Sequence, residues 1–450
     1  MVSVTASCMQ VESHKAWKRA TNKISKRRYR SNYQRKGLYT LPQINIDSFD
    51  HVHKECLLDL ALFPAEKKIC ADALLDIWVY VEKLQRNDAF VILSELADIN
   101  LLNLTGNPRG STTIPCGNAS ELYISQRDVI RDLVFDLGHE DNILHRKRLS
   151  TERKNGSLLG KQELLRGRAF DTRILCILTG RMEENDWYDM NFPETEALLL
   201  LFTSTEYFLP PFLKSMKKLK FLMISNCGTN KATVKGLDIL SSLTQLKSVR
   251  LERLISPLGG KQGIEALQNL EKLSLSLCEG FENIPAFTSL QDLNLDHNND
   301  LEELPLGICN IPSIVSLSIT NCHQLQNLPY DFGKMSNLRM LKLSALPCLN
   351  QLPASIGKLE QLEYLDISLC EILTELPKEI GQLKKLRELD MRECSNLTTL
   401  PSTVCELHSL KLVTCDETIG KQWLRVKNTS IPELRVEIVE AYFSLDWLDV

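Results

Sequence analysis

A leucine repeat with a period of 24 residues constrains the fold of this chain more than any other feature. Its regular copies begin at Leu290, Ile314, Leu338, Leu362, Leu386 and Leu410. Most copies open with the pattern L-x-x-L-x-L-x-x-(C/N), with conservative replacements such as isoleucine or methionine for leucine. Self-similarity at such a period is typical of solenoids, because every copy is one structural unit that stacks on the next.

This pattern is that of a leucine-rich repeat, which contributes one short parallel strand per unit. Less regular copies begin at Leu219, Leu246 and Leu270, so about nine units run from Leu219 to Cys415. No unit can bury its leucines without a neighbour, and stacking therefore builds the core. We predict an α/β solenoid, a leucine-rich-repeat horseshoe preceded by a small, mostly helical domain.

Two further positions follow the same register. Proline, which lacks an amide donor and can turn the chain out of its strand, occurs fifteen residues after a start at Pro285, Pro305, Pro329, Pro353, Pro377 and Pro401. Eight residues after a start the chain has Cys227, Cys278, Cys322, Cys370 and Cys394, with Asn298 in one unit. A small buried side chain there can bond to the turn backbone. We interpret these thiols as packing groups, not as catalytic or metal-binding groups.

Positive charge is concentrated at the start of the chain. Ten lysine and arginine residues but only one acidic residue, Glu12, lie within the first forty, whereas the whole chain has a net charge of -4. We predict a basic, disordered tail over residues 1–43. Its composition is compatible with a nuclear-import signal, a nucleic-acid contact, an organellar presequence or a merely solvated tail.

Apolar residues recur at helical spacing between this tail and the repeats. The spacing predicts three helices, over residues 52–62, 71–81 and 89–102. A Gly-, Pro-, Ser- and Thr-rich hairpin loop (106–118), a strand (121–125) and a helix (128–137) follow. We therefore predict a helical bundle with a β-wing, a winged-helix domain, over residues 44–150. DNA binding is disfavoured, because the third helix has only Glu95 and Asp98 as charged residues.

Several segments of the chain resemble one known family. Residues 48–50, 54–60 and 62–64 are similar to the winged-helix subdomain of plant nucleotide-binding leucine-rich-repeat immune receptors. Residues 124–133 resemble the methionine-histidine-aspartate segment of that family. Within the family, the chain is most similar to helper receptors of the activated-disease-resistance type, whose segment reads Gln-His-Asp; Arg127 replaces the histidine here. The resemblance runs from about Asp47 to the C-terminus.

The resemblance implies that Gln126, Arg127 and Asp128 are a vestigial nucleotide-sensor motif, which lies beside bound ADP in longer family members. Asp128 alone could instead cap the helix that follows. Residues 156–162 and 259–261 lack the glycine spacing, the hydroxyl residue or the preceding strand of a P-loop. We therefore expect no catalysis, no metal and no cofactor, with ADP or ATP bound only by a longer native form.

Function is then expected to lie in a protein-binding surface. Residues two, four and six places after a start point onto the concave sheet, where ligands of solenoids bind. Our candidate partner-binding residues are Met340, Lys342, Tyr364, Asp366, Glu388, Asp390 and Arg392. Met340 and Tyr364 beside charges of both signs are typical of an interface centre with a polar rim. The alternative is that all seven are ordinary solvated residues.

We expect a linker and the start of a solenoid cap at residues 151–190, the repeats at 191–420 and a C-terminal cap at 421–450. The resemblance implies a truncated, non-catalytic immune protein of the cytoplasm or nucleus. Such a protein could compete with full-length helper receptors for lipase-like immune heterodimers. Two alternatives remain open: the C-terminal part of an ADP/ATP-switched helper receptor whose first exons are missing, and a general repeat scaffold. No apolar run suits a membrane span, and nucleic acid is not the expected partner.

Overall fold

The computed structural model describes residues 49–63, 69–106, 122–126, 130–131, 134, 143–152, 167–258, 264–280 and 283–439. The predicted basic tail, the hairpin loop beyond residue 106, most of the predicted helix 128–137 and the last eleven residues of the predicted cap lie outside this part. The described residues form two compact units, one within residues 1–150 and 172–176 and the other within residues 151–171 and 177–450.

The first unit contains three helices, α1 (His51–Leu60), α2 (Ala71–Tyr80) and α3 (Arg86–Asp98). These helices confirm the prediction from apolar spacing, with ends that differ by up to four residues. The Asp50 carboxylate accepts a hydrogen bond from the backbone N–H of His53, and so caps the first turn of α1. Residues 71–78 of α2 are all buried, as in a central helix that has neighbours on every side.

A three-stranded antiparallel sheet accompanies these helices. Its strands are β1 (Ile69–Cys70), β2 (Asn103–Gly106) and β3 (Leu122–Ser125), in the order β1-β3-β2. Gly106 lies opposite Leu122, so β2 and β3 pair as the two arms of the predicted hairpin. The described helices and strands confirm a small, mostly helical region before the repeats. The assignment of residues 44–150 to a winged-helix domain stays a prediction.

Buried ion pairs join separate segments of the first unit. Arg148 donates from Nε to Asp59 Oδ1 at 2.6 Å and from Nη2 to Glu55 Oε2 at 2.9 Å. Burial raises the pKa of the Asp59 carboxyl to about 7, although Arg148 opposes this shift. Arg86 similarly contacts two buried carboxylates of α2, those of Asp72 and Asp76.

The remaining strands follow the repeat register. In chain order they are β4 (Arg148–Glu152), β5 (Ile174–Thr179), β6 (Ala197–Phe202), β7 (Glu206–Phe208), β8 (Phe221–Asn226), β9 (Ala232–Lys235), β10 (Ser248–Glu252), β11 (Leu254–Ile255), β12 (Lys272–Ser276), β13 (Asp292–Asp296), β14 (Ser316–Thr320), β15 (Met340–Ser344), β16 (Tyr364–Asp366), β17 (Glu388–Met391), β18 (Leu412–Cys415) and β19 (Arg435–Ile438). Strands β4 and β5 straddle the division between the units. Strands β7, β9 and β11 form a separate small parallel sheet.

The large sheet of the second unit is parallel and has one strand per repeat. Leu341, for example, lies between Leu317 and Leu365 on the neighbouring strands, and all three are fully buried. The predicted solenoid is therefore confirmed. The sheet also includes β6 before Leu219. After Cys415, helix α4 (Glu417–Thr429) replaces the usual short turn and leads to one further parallel strand, β19.

The proline position has the expected role. Pro353, Pro377 and Pro401 each stand immediately before a short 3-10 helix that carries the chain away from the sheet. The glycines of these turns pack against the next repeat. A Cβ atom on Gly357 would lie 2.6 Å from the carbonyl oxygen of Glu379, which is too close for any side chain. Neighbouring turns therefore touch through their backbones.

The cysteine position makes a ladder of hydrogen bonds between repeats. Cys370 donates from Sγ to the carbonyl of Leu343 at 3.2 Å, and Cys394 donates to that of Ile367 at 3.0 Å. Asn298 donates to the carbonyl of Leu275 at 2.9 Å and also accepts from the N–H of Cys278 at 2.8 Å. Burial raises the pKa of the thiols of Cys278, Cys322 and Cys370 to about 12. The packing interpretation is confirmed for these thiols, and Cys227 is only half-buried.

The residue before this ladder has a left-handed backbone in seven successive repeats: Arg253, Leu277, His297, Asn321, Ala345, Leu369 and Glu393, all with φ between 54° and 60°. Side chains of L-residues disfavour this conformation. This conformation recurs because the chain must turn sharply here to bring the next side chain, at the cysteine position, into the core. The sequence pattern did not predict this turn, because the seven residues share no chemical type.

Candidate protein-binding face

The two faces of the large sheet differ in character from β12 to β17. Residues three and five places after each start are apolar and form the core, whereas those two, four and six places after it are mostly polar. This alternation follows from strand geometry, since successive side chains point to opposite faces. We call the surface that carries the second set on these strands the polar face.

Six of the seven candidate residues lie together on three neighbouring strands of the polar face, β15, β16 and β17. In one row Met340 lies opposite Tyr364, which lies opposite Glu388. In the next row Lys342, Asp366 and Asp390 follow one another in the same way. The seventh residue, Arg392, follows directly on β17 and contacts Asp390.

The two rows differ in exposure. Met340, Tyr364 and Glu388 are half-buried, so part of each side chain is available to a partner. Lys342 and Asp366 are only 3% exposed, and Lys342 Nζ lies 3.5 Å from Asp366 Oδ2. The repeat register predicts that these two residues lie side by side, but it does not predict that both are buried. The freely solvated alternative does not describe these two residues.

Charges at the end of the second row are arranged in advance of any binding. Arg392 makes a two-pronged contact with Asp390, from Nε to Oδ1 at 2.9 Å and from Nη2 to Oδ2 at 2.6 Å. Burial raises the pKa of the Asp390 carboxyl; the guanidinium of Arg392 opposes this shift, whereas the nearby Asp366 adds to it. The face therefore combines an apolar pair with oriented charges, an arrangement suited to recognition of a polypeptide.

Three small polar residues of the same face were not among the candidates predicted from the sequence. Ser274, Asn294 and Ser318 lie opposite one another on β12, β13 and β14, four places after their repeat starts. The same register rule that selected Lys342 would have found them. They were passed over because small polar side chains carry no distinctive sequence signal.

The predicted nucleotide-sensor motif is described only in part. Gln126 follows β3 directly, and both polar atoms of its side chain are buried without a hydrogen-bond partner in the described part of the chain. Arg127 and Asp128 lie outside the described residues. Among the residues that the structure covers, no group of three His, Cys, Asp or Glu side chains could hold a metal ion. No helix within this coverage is long and apolar enough to cross a membrane.

Comparison with known proteins agrees with the geometry. Residues 348–442 match the family model described as a leucine-rich repeat region. The probable disease resistance protein At5g66890 of Arabidopsis thaliana is 34% identical over 295 residues, which cover 61% of this chain and 68% of that protein. The chain belongs to the plant disease resistance proteins.

Other plant disease resistance proteins show the same relationship. The probable disease resistance protein At4g33300 of Arabidopsis thaliana is 37% identical over 324 residues, 70% of this chain and 39% of the relative. The disease resistance protein ADR1 of the same species is 35% identical over 285 residues, 61% of this chain and 36% of the relative. The resemblance to receptors of the activated-disease-resistance type is thus confirmed, and the chain spans less than half the length of these two relatives.

The leucine-rich repeat domain of the type III effector XopL is 25% identical, with a TM-score of 0.42 over 49% of this chain and 76% of that one. Leucine-rich repeats are typically non-catalytic scaffolds whose extended surfaces bind other molecules. The repeats of this disease resistance protein therefore provide an interaction surface.

Proposed function

We propose that this chain acts in plant defence as a non-catalytic protein that binds a protein partner on β15, β16 and β17 of its polar face. One observation carries the proposal: Met340 and Tyr364 lie side by side, half-buried, next to a row of charges held in place by the sheet. Tyrosine and arginine are enriched at the centres of protein interfaces. Tyr364 and Arg392 are the corresponding residues here.

Rigidity of the sheet supports this assignment. The Lys342–Asp366 and Asp390–Arg392 pairs already exist in the free chain, so a partner does not have to order these long side chains. Binding loses less entropy when contact groups are held in place beforehand. The parallel strands also hold Met340, Tyr364 and Glu388 at regular spacing. A complementary surface would meet these residues without rearrangement.

The family resemblance supports a more specific partner. We propose that the chain competes with full-length helper receptors for lipase-like immune heterodimers, in the cytoplasm or nucleus. We propose that the chain acts by occupying the partner's binding site. Competition would lower the amount of helper receptor in signalling complexes and so damp defence.

A binding titration tests the proposed surface. The purified chain is titrated against a lipase-like heterodimer, and Tyr364→Ala is compared with Tyr330→Ala. Tyr330 is a matched control because the residue is 83% exposed and lies outside the strands. Loss of a central aromatic anchor should weaken binding by roughly 30-fold. Equal affinities of the two variants would contradict the proposed site.

A competition experiment tests the proposed consequence. Increasing amounts of the chain are added to a preformed complex of a helper receptor and the heterodimer. Displacement of the helper receptor by the unmodified chain, but not by Tyr364→Ala, is the expected result. A complex that stays intact at saturating chain would rule out competition, even if the chain binds elsewhere.

The relative lengths favour a second candidate function. The chain covers 39% and 36% of two long disease resistance relatives. Under this alternative the polar face belongs to a larger ADP/ATP-switched receptor. Sequencing of the 5′ end of the native transcript, together with measurement of the mass of the native protein, distinguishes the two candidate functions. An in-frame P-loop upstream of Met1 would favour the switched receptor.

A further inference from the structure

A row of exposed side chains, three of them acidic, follows the outer face of α3. We call these residues the α3 stripe: Asp88, Val91, Glu95 and Asp98. Residues three or four positions apart lie on the same side of a helix, so the four share one face. The other charged residue of α3 is Arg86, and its guanidinium contacts buried carboxylates of α2. The exposed charges of α3 are therefore all negative.

The carboxylates of the stripe are only partly neutralised. Asp88 and Asp98 form no ion pair with any residue that the structure describes. Glu95 lies 2.8 Å from His53 Nε2, and Asp50 of α1 lies 2.8 Å from His53 Nδ1. Because a neutral imidazole has a single N–H, two such contacts require the protonated ring, whose one positive charge is shared by two carboxylates. Four carboxylates and one imidazolium leave a clear excess of negative charge.

The basic segment near the start of the chain has the complementary composition. Residues 15–36 contain ten lysine and arginine residues and no acidic residue. They also contain three aromatic residues, Trp17, Tyr29 and Tyr33. Val91, in the middle of the stripe, is 51% exposed and offers an apolar contact to such a ring. Charge and apolar surface therefore both match the stripe.

The connection between the two segments is short and ends beside the stripe. Residues 37–48 separate the basic segment from Asp50, and His53 joins Asp50 to Glu95. A linker of this length has a typical end-to-end distance of about 20 Å, and the stripe extends about 15 Å along the helix. A segment tethered at such a distance has an effective concentration in the millimolar range. Individually weak contacts are then enough for high occupancy.

We propose that the α3 stripe binds the basic segment of its own chain, residues 15–36. Lysine and arginine side chains of the segment contact the three carboxylates of the stripe, and an aromatic ring covers Val91. The segment is thereby held on the first unit and withheld from other anionic partners. The inference goes beyond the proposed function, because it concerns neither the polar face nor the partner of that face.

Carbodiimide cross-linking of the full chain tests the contact, because this reagent joins a lysine amine directly to a carboxylate that touches it. We expect links between the lysines of residues 15–36 and the α3 stripe. These links should disappear at about 1 M salt, which screens exposed charges. Glu371 and Glu375 are the control carboxylates, since both are exposed outside the strands of the repeats. Equal yields of links to the stripe and to the control carboxylates would overturn the proposal.

Trypsin, which cleaves after lysine and arginine, measures how well the contact protects the segment. In the full chain, the double variant Asp88→Asn/Asp98→Asn should be cleaved within residues 15–36 about fivefold faster, because two exposed charge contacts are lost. The double variant Glu371→Gln/Glu375→Gln changes the net charge equally and should be cleaved at the unmodified rate. Equal cleavage rates of the two double variants would contradict binding at the stripe.

A variant of the basic segment gives a test that does not depend on the stability of α3. Substitution of Arg27, Arg28 and Arg30 by glutamine leaves the helices unchanged and should lower the yield of links to the stripe several-fold. This variant decides the question if Asp88→Asn/Asp98→Asn lowers the melting temperature. An unchanged yield of links would overturn the proposal.

Isotope labelling distinguishes one chain from two. Unlabelled chain is mixed with an equal amount of chain that carries heavy nitrogen, and the mixture is cross-linked. We expect links between the segment and the stripe to join peptides of the same label. Links of mixed label as abundant as those of one label would show that a second copy provides the basic segment, and the proposal would fail.

Discussion

The first unit, which contains α1, α2 and α3 and is called the helical unit below, and the leucine-rich repeats are stabilised by different kinds of contact. In the helical unit, unique charged contacts join separate segments, as Arg148 joins Asp59 and Glu55. In the leucine-rich repeats, one modest contact recurs from repeat to repeat, such as the thiol hydrogen bonds of Cys370 and Cys394. The comparison teaches that a single change should be severe in the first unit and more local in the second, because repeats interact only with their neighbours.

The largest expected effect comes from breaking the buried ion pair of the helical unit. Arg148→Ala leaves the Asp59 carboxylate fully buried without its cation, and should cost about 3–5 kcal/mol of stability. Urea unfolding followed by circular dichroism measures this loss. Lys421→Ala is the control, because it removes an exposed pair with Glu417 on α4 and should change little. A loss for Arg148→Ala as small as the control's would erase the contrast between the units.

Substitution of Asn298 tests the repeats at a ladder position whose side chain makes two hydrogen bonds. Asn298→Ala leaves the carbonyl of Leu275 and the N–H of Cys278 without their side-chain partner, at a cost of roughly 2–4 kcal/mol. Asn298→Cys keeps a donor to the carbonyl, as in the neighbouring repeats, and should cost about half as much. Denaturation midpoints of the two variants provide the test. Equal losses would mean that the ladder hydrogen bonds are not what stabilises this position.

The substitution Gly357→Ala, which adds a methyl group between two turns, should reduce stability by less than Asn298→Ala and affect a smaller part of the chain. Gly357→Ala places a Cβ 2.6 Å from the Glu379 carbonyl oxygen, so the two repeats must separate slightly, at about 1–3 kcal/mol. Hydrogen exchange should increase mainly in the turns around residues 357 and 379. Gly180→Ala is the control, because nothing lies within 4 Å of its added Cβ. Faster exchange throughout the chain would contradict local coupling between repeats.

The smallest expected effect is a change in the stability of the helical unit with pH near neutrality, which arises from Asp59. The pKa of the Asp59 carboxyl is raised to about 7 in the folded chain, above about 3.9 in the unfolded chain. The folded state therefore binds more protons between these values, and stability falls as pH rises. We expect a loss of about 1 kcal/mol from pH 6 to 7. Asp59→Asn should abolish this contribution; an identical pH profile for the variant would refute the assignment to Asp59.

The prediction from sequence succeeded where one spacing repeats. The starts at Leu338, Leu362 and Leu386 correctly predicted three parallel strands and the rows that join Met340 to Tyr364 and Lys342 to Asp366. The prediction was incomplete at the end of the repeats. A helix after Cys415 interrupts the leucine pattern, yet the chain returns to the sheet as β19. A period cannot predict a strand that follows a connection of different length.

The sequence by itself determined the solenoid, because a leucine at every third and fifth place after a start can be buried only if each strand lies beside the next. It also determined which side chains share the polar face, since alternation along a strand is a property of the backbone. Only the tertiary structure decided which of these polar groups are buried and with whom. Lys342 and Asp366 are both buried although they belong to the polar face, and Arg148 contacts Asp59 across 89 residues of the chain. Burial and such long-range partners depend on neighbours that are far away in the chain, and no local sequence pattern predicts them.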